Sequence, residues 1–187
     1  MRLILLLLAL AAPSLAIAGC DRQKPVPQQG EVAAPSTLGE AVKGVDRSRK
    51  GTPAPAVLFN DPDGEETSIA AFAGKPLLIN LWASWCAPCV KELPTLDRLA
   101  SFDRDLAVVA VSQDMAPQGS VEAYLAKLAV AELGAYHDPK MGLSDALGVR
   151  VMPTTVLYDR AGREVWRYVG DLDWSGAEAR ALLAEAP

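Results

Sequence analysis

Leu81-Trp82-Ala83-Ser84-Trp85-Cys86-Ala87-Pro88-Cys89 is the stretch that decides the fold of this chain. It begins inside the near-continuous apolar run Leu77-Leu78-Ile79-Asn80-Leu81-Trp82, the pattern of a strand buried on both faces. It ends in a run where Val90, Leu93, Leu96, Leu99 and Ala100 keep one apolar face, which predicts a helix over 87–103. Pro94 falls inside that helix and predicts a kink. The two cysteines therefore stand at a strand-to-helix junction. Free backbone N–H groups and the helix dipole favour a thiolate at Cys86. Such placement lowers a thiol pKa from about 8.5 toward about 3.5–7.5. Cys89 lies one turn inside and is expected to be more buried. In this chemistry the outer thiolate attacks a substrate disulfide and the inner thiol resolves the mixed disulfide. A structural disulfide and half a zinc site are the other readings of such a pair. Zinc needs four ligands, and outside the pair the chain offers only His137 and Cys20.

Moving outward, strands and helices alternate. Val57-Leu58-Phe59 runs into the turn residues Asn60-Asp61-Pro62-Asp63-Gly64. Leu106 to Val111 predicts another buried strand, and Ser120 can cap a helix carrying Val121, Tyr124, Leu125 and Leu128. Tyr136 lies in a short extended stretch, and 141–147 predicts a short helix ended by Gly148. Thr154 to Tyr158 and Glu164 to Val169 predict a hairpin around Asp159-Arg160-Ala161-Gly162. Ser175 with Glu178 predicts a capping box for a last helix carrying Leu182 and Leu183. This order implies an α/β fold, a mixed sheet covered on both faces.

The first residues follow another logic. Arg2, the apolar run Leu3 to Leu10 and the exit Ala11-Ala12-Pro13-Ser14 have the layout of a secretory signal peptide over 1–19. Pro13 and Ser14 break the run short of the ~20 apolar residues that a span needs. Ile17-Ala18-Gly19-Cys20 resembles a bacterial lipobox, so Cys20 is the expected lipidation site and its thiol is spent there. Residues 20–52 read as a lipidated N-terminus and flexible tether, rich in Pro, Gln, Gly and Ala, and a folded domain is expected over 53–187. A flexible chain of about 30 residues spans about 30 Å. Asp21 resembles the signal that retains lipoproteins at the inner membrane. The expected location is the periplasmic face of that membrane rather than the outer membrane.

The motif and its surroundings resemble the thioredoxin superfamily, and within it the TlpA-type thiol–disulfide oxidoreductases of bacterial envelopes. The resemblance runs from about Pro53 to Ala186. It rests on Asn80, Trp82-Ala83-Ser84-Trp85-Cys86-Ala87-Pro88-Cys89, Asp61-x-x-Gly64, Gly74-Lys75-Pro76, Pro94 and Val151-Met152-Pro153-Thr154. It implies a three-layer thioredoxin-like fold with a mixed central sheet and helices on both faces. It implies catalysis through a redox-active Cys86/Cys89 pair, a cis-Pro153 facing the cysteines, and client docking along Trp85, Met152 and Pro153. A cis X–Pro bond exposes the Met152 main chain as an edge for an extended client. One departure is Asn80, where thioredoxins proper carry a buried Asp. An amide accepts no proton, so the usual relay to the resolving thiol is absent. Glu92 lies three residues after Cys89 and reads as a solvated helix residue. Trp85 is expected to cover the disulfide, Trp166 and Trp174 to pack, and His137 to lie in a loop.

With 187 residues, half of them apolar, 22% charged and a net charge of −5, the composition is globular, and its acidic balance argues against nucleic-acid binding as the primary role. A lone histidine argues against a His-rich metal centre. Ala83 and the second cysteine, Cys89, argue against a peroxidase. The expected activity is reduction of disulfides in exported proteins, and the TlpA-type resemblance implies clients such as those of cytochrome c or copper-oxidase maturation. A transmembrane thiol reductase is the expected electron donor, and no cofactor or metal is called for. Reduction potential separates this from an oxidase or isomerase. A lipoprotein binding copper through Cys86 and Cys89 is the non-enzymatic rival.

Overall fold

The computed structural model describes residues 43–186. The expected signal peptide, Cys20 and the expected tether as far as residue 42 lie outside the described residues. Strand β4 (Leu77–Trp82) is the middle of the sheet and every one of its residues is buried. Its alternate side chains feed two cores. Leu78 and Trp82 enter one with Leu93, Leu96, Leu125 and Leu182; Leu77, Ile79 and Leu81 enter the other with Phe59, Ile69, Leu143 and Leu147. This double burial explains why β4 reads as a continuous apolar run.

The other strands are β1 (Gly44–Asp46), β2 (Leu58–Asn60), β3 (Glu66–Ser68), β5 (Ala107–Ser112), β6 (Tyr136–His137), β7 (Thr154–Tyr158) and β8 (Glu164–Val169). They form one eight-stranded sheet in the order β1-β8-β7-β4-β5-β6-β2-β3. The pairs β4–β5 and β5–β6 are parallel and the rest antiparallel, so the sheet is mixed. Helices α1 (Ala87–Phe102), α2 (Gln118–Lys127) and α4 (Ala177–Leu183) contribute to the first core, and α3 (Gly142–Leu147) to the second. Helices thus cover both faces, as expected of the three-layer fold.

Three differences from the sequence reading have physical reasons. The folded domain begins before residue 53. Gly44, Val45 and Asp46 pair with Val169, Tyr168 and Arg167, Gly51 N–H donates to the Glu164 carbonyl (2.7 Å), and Pro53 bridges Arg163. That pairing uses main-chain groups at the edge of β8, which leave no mark on an apolar pattern. Ser120 caps nothing, because α2 starts at Gln118 after Pro117. The capping box is absent as well. Ser175 Oγ donates to Asp173 (2.6 Å), and α4 starts after Gly176 with no side-chain cap.

The β8 edge also holds a buried ion pair. Arg167 donates to both carboxylate oxygens of Glu164 at 2.7 Å, with side-chain exposures of 7% and 3%. Removing one partner strands the other. Glu164→Ala is expected to lower unfolding free energy by about 3–5 kcal/mol, read by denaturant unfolding of the oxidised protein. A loss below about 1 kcal/mol would mean that the pair behaves as if solvated.

Candidate active site

The carboxyl ends of β4 and β5 present the site. After Trp82 the chain turns through Ala83–Trp85 into α1, whose N-cap is Cys86. Cys86 and Cys89 are joined in a disulfide, with Cα atoms 5.3 Å apart. Pro88 occupies the first turn, where a missing N–H breaks no helical bond. The Cys89 N–H donates to Cys86 Sγ (3.4 Å), so a charged sulfur there meets a main-chain donor at the positive end of α1. Cys86 keeps 7% of its surface and Cys89 none. A client sulfur can therefore reach Cys86 and not Cys89.

Cys86 opens on a cavity of about 460 Å³ lined also by Trp85, Met141, Asp145, Arg150 and Met152. Trp85 is 67% exposed; it flanks the disulfide and lines the cavity with the apolar side chains of Met141 and Met152. The Met152–Pro153 peptide bond is cis. The Met152 side chain lines the same cavity as Cys86, which brings Trp85, Cys86 and Met152 together.

The loop before Cys86 is pinned by a residue that the sequence reading did not single out. Asp114, just past β5, accepts from Ser84 N–H (2.9 Å), Ser84 Oγ (2.8 Å) and Ser112 Oγ (2.7 Å). Tyr124 adds a hydroxyl donated to the Ser84 carbonyl (3.2 Å). His137 is buried on β6, not in a loop, and its Nε2 lies 2.7 Å from the Asp114 carbonyl that accepts its proton. Among the described residues, no group of three or more His, Cys, Asp and Glu is placed to hold a metal ion.

Glu92 overturns its expected role as a solvated residue. It is 2% exposed, one turn beyond Cys89 on the same helix. Its Oε1 accepts from Asn80 Nδ2 (2.7 Å), and its Oε2 accepts from Leu172 N–H (3.0 Å) and Trp174 Nε1 (3.1 Å). Burial pushes the carboxyl up from 4.5 to about 7, against the pull of those three donors. Asn80 Nδ2 also donates to Thr155 Oγ1 (2.9 Å), while Asn80 Oδ1 has no partner. That orientation suits ionised Glu92. When Glu92 takes a proton, a half-turn of the amide lets Oδ1 accept it, with the Thr155 hydroxyl turning to donate as well. Asn80 is thus no proton acceptor itself, but it can serve either charge state of a carboxyl that is.

Comparisons with known proteins agree with this geometry. The redoxin family pattern matches residues 49–183. The chain is similar to the thiol-disulfide oxidoreductase ResA of Bacillus thuringiensis (strain Al Hakam), 28% identical over 131 residues, 67% of this chain and 73% of that protein. It is 32% identical over 119 residues to the thioredoxin-like protein YneN of Bacillus subtilis (strain 168), 61% of this chain and 68% of that one. Among solved structures it resembles a Chlorobium tepidum protein assigned as thiol:disulfide interchange protein DsbE. The TM-score there is 0.65 at 29% identity, over 73% of this chain and 96% of that one. It also resembles the pneumococcal exposed lipoprotein thioredoxin Etrx1 of Streptococcus pneumoniae strain TIGR4, with a TM-score of 0.58 at 25% identity, over 68% of this chain and 98% of that one.

The Glu92 shift sets a stability profile. Native protein holds this proton up to about pH 7, whereas the unfolded chain releases it near 4.5. Stability therefore falls as pH rises through that window. The carboxyls held low, Asp46, Asp171, Asp173 and Glu185, act below it. Glu92→Gln keeps an acceptor for Leu172 and Trp174, and its new amide meets the turned Asn80. Between pH 4.5 and 7.5 wild type is expected to lose about 3 kcal/mol relative to Glu92→Gln. Denaturant midpoints of both oxidised proteins across that range check this. Parallel profiles would contradict it.

Proposed function

The chain belongs to the redoxin family, and on that premise we propose that it is a membrane-tethered envelope reductase of disulfides in exported proteins. Thiol–disulfide oxidoreductase activity follows from the relatives and the Cys86–Cys89 pair. The observation that carries the reading is the opposite treatment of the two sulfurs. One lies at a helix N-cap beside an open cavity, and the other is sealed inside, one helical turn from a buried carboxyl poised near neutrality.

In the reducing direction the Cys86 thiolate attacks a client disulfide. A Cys86–client bond forms, the client bond breaks, and one client sulfur leaves as thiolate and takes a proton. Glu92 in its ionised form accepts the Cys89 proton. The Cys89 thiolate then attacks Cys86 Sγ, expels the second client thiolate and closes the Cys86–Cys89 disulfide. Two electrons and two protons from a dithiol on a transmembrane reductase restore the pair. Trp85 and Met152 supply the apolar rim, and the chain around Met152–Pro153 the docking edge. Clients include the CxxCH sites of cytochrome c precursors and the copper sites of oxidases, as the TlpA-type resemblance implies. Lipidation at Cys20 and a periplasmic location complete the proposal. The exposed lipoprotein thioredoxin among the similar structures supports that placement.

The experiment is trapping in membranes. Cys89→Ser is expected to accumulate mixed disulfides on a non-reducing gel, and Cys86→Ser none. With purified protein, resolution of a preformed mixed disulfide should quicken as pH rises through about 7, and slow at least about tenfold in Glu92→Gln. A reduction potential of about −270 mV agrees with a reductant, and one of about −120 mV would make the protein an oxidant. No trapped client with Cys89→Ser at normal expression would overturn protein disulfides as the substrate.

A further inference from the structure

A second cavity, of about 410 Å³, adjoins the one at Cys86, and Val149 and Arg150 line both. Its walls are β1 with the residues just after it, β8, and the connection from α3 to β7. Five cations line it, Lys43, Arg47, Arg49, Arg150 and Arg167, against one acid, Asp46. This concentration of positive charge occurs in a chain of net charge −5. Lys43 is paired with Asp171, Arg47 with Glu185 and Arg167 with Glu164. Arg49 and Arg150 are the lining cations that take part in no ion pair among the described residues. Asp46 accepts from the Ser48 N–H (2.8 Å) and Oγ (3.0 Å).

Arg49 is held in position without being neutralised. Its Nη1 donates to the Leu147 carbonyl (3.0 Å), the carbonyl that Arg167 Nη1 also reaches (2.7 Å). Its Nη2 lies over Gly148, where a Cβ would come within 3.0 Å of it. Gly148 has φ +65°, so one glycine both ends α3 and leaves room for the guanidinium. A planar guanidinium with free donors suits a carboxylate held through two hydrogen bonds. The Cys86 cavity carries Asp145 beside Arg150, so the surface turns positive on leaving the sulfur for the groove.

We propose that this basic groove is a specificity subsite that docks an acidic stretch of the client polypeptide flanking the disulfide being reduced. The proposal rests on the function read above. A client extended across Met152 toward Val149 and Arg150 runs directly into the groove. Anionic lipid headgroups offer related chemistry, but a concave groove continuous with the cysteine cavity fits an extended chain better than a flat bilayer surface.

The test uses full-length reduced protein and synthetic disulfide peptides identical except for flanking runs of aspartate, asparagine or lysine. The aspartate peptide is expected to be reduced about tenfold faster in kcat/KM than the asparagine peptide, and the lysine peptide more slowly than either. In 1 M salt, where the screening length is about 3 Å, the differences should vanish. Arg49→Gln should cut the aspartate preference at least about threefold while leaving reduction of neutral hydroxyethyl disulfide unchanged. Equal rates for the aspartate and asparagine peptides, or a preference that survives Arg49→Gln combined with Arg150→Gln, would overturn the proposal. So would a groove that those substitutions show to bind anionic vesicles with no peptide preference. Loss of all disulfide reduction, the neutral disulfide included, would instead count against the reductase reading.

Discussion

A carboxyl group buried beneath the active-site helix is the constraint on which the rest of the site depends. Glu92 on α1 is reached by Asn80 from β4, and by Leu172 and Trp174 from the segment after β8. An ionisable group in such a place is costly unless its oxygens are satisfied. The three donors therefore fix where these elements meet. Trp174 is fixed further by stacking on Trp166, ring centroids 6.5 Å apart, and Trp166 Nε1 donates to the Leu182 carbonyl (3.1 Å). The C-terminal segment and α4 are thereby drawn against α1, and Cys89 is closed off from solvent.

The two sulfurs receive different environments from one helix. Cys86 lies at its positive end with a main-chain donor, and Asp114 holds the preceding loop in register through Ser84. Cys89 lies inside, one turn from the carboxyl. An acid–base assignment follows from environments that push titratable groups in opposite directions. The helix terminus favours charge at Cys86 and burial disfavours it at Cys89. Glu92, poised near 7, is the group able to change state as Cys89 gives up its proton.

The fold was legible because β4 and the α1 stripe carry strong periodicities, and the cysteine pair because its spacing at a strand–helix junction is itself chemical. The role of Glu92 was less legible, although a signal existed. Cys89, Glu92, Leu93 and Leu96 are the buried residues of α1, spaced three, four and seven apart, so Glu92 occupies a core position of the helix. A glutamate on a helix faces solvent in the commoner case, so the stripe alone does not mark this one as buried. Asp114 was hidden by its distance from the motif, since its partner Ser84 comes near only through parallel pairing of β4 with β5. Strand β1 leaves no signal in the sequence because an edge strand adds main-chain bonds more than apolar side chains. It brings Lys43, Val45 and Asp46 to the groove beside the site.

The most direct measurement is the titration of Glu92 itself. Oxidised protein with carboxyl-13C glutamate is followed by NMR against pH, with Glu92→Gln assigning the resonance. Oxidation removes both thiols, so the curve reports the carboxyl alone. A midpoint near 7 is predicted from its burial. A midpoint near 4.5, the ordinary value, would contradict a carboxyl poised to take the Cys89 proton.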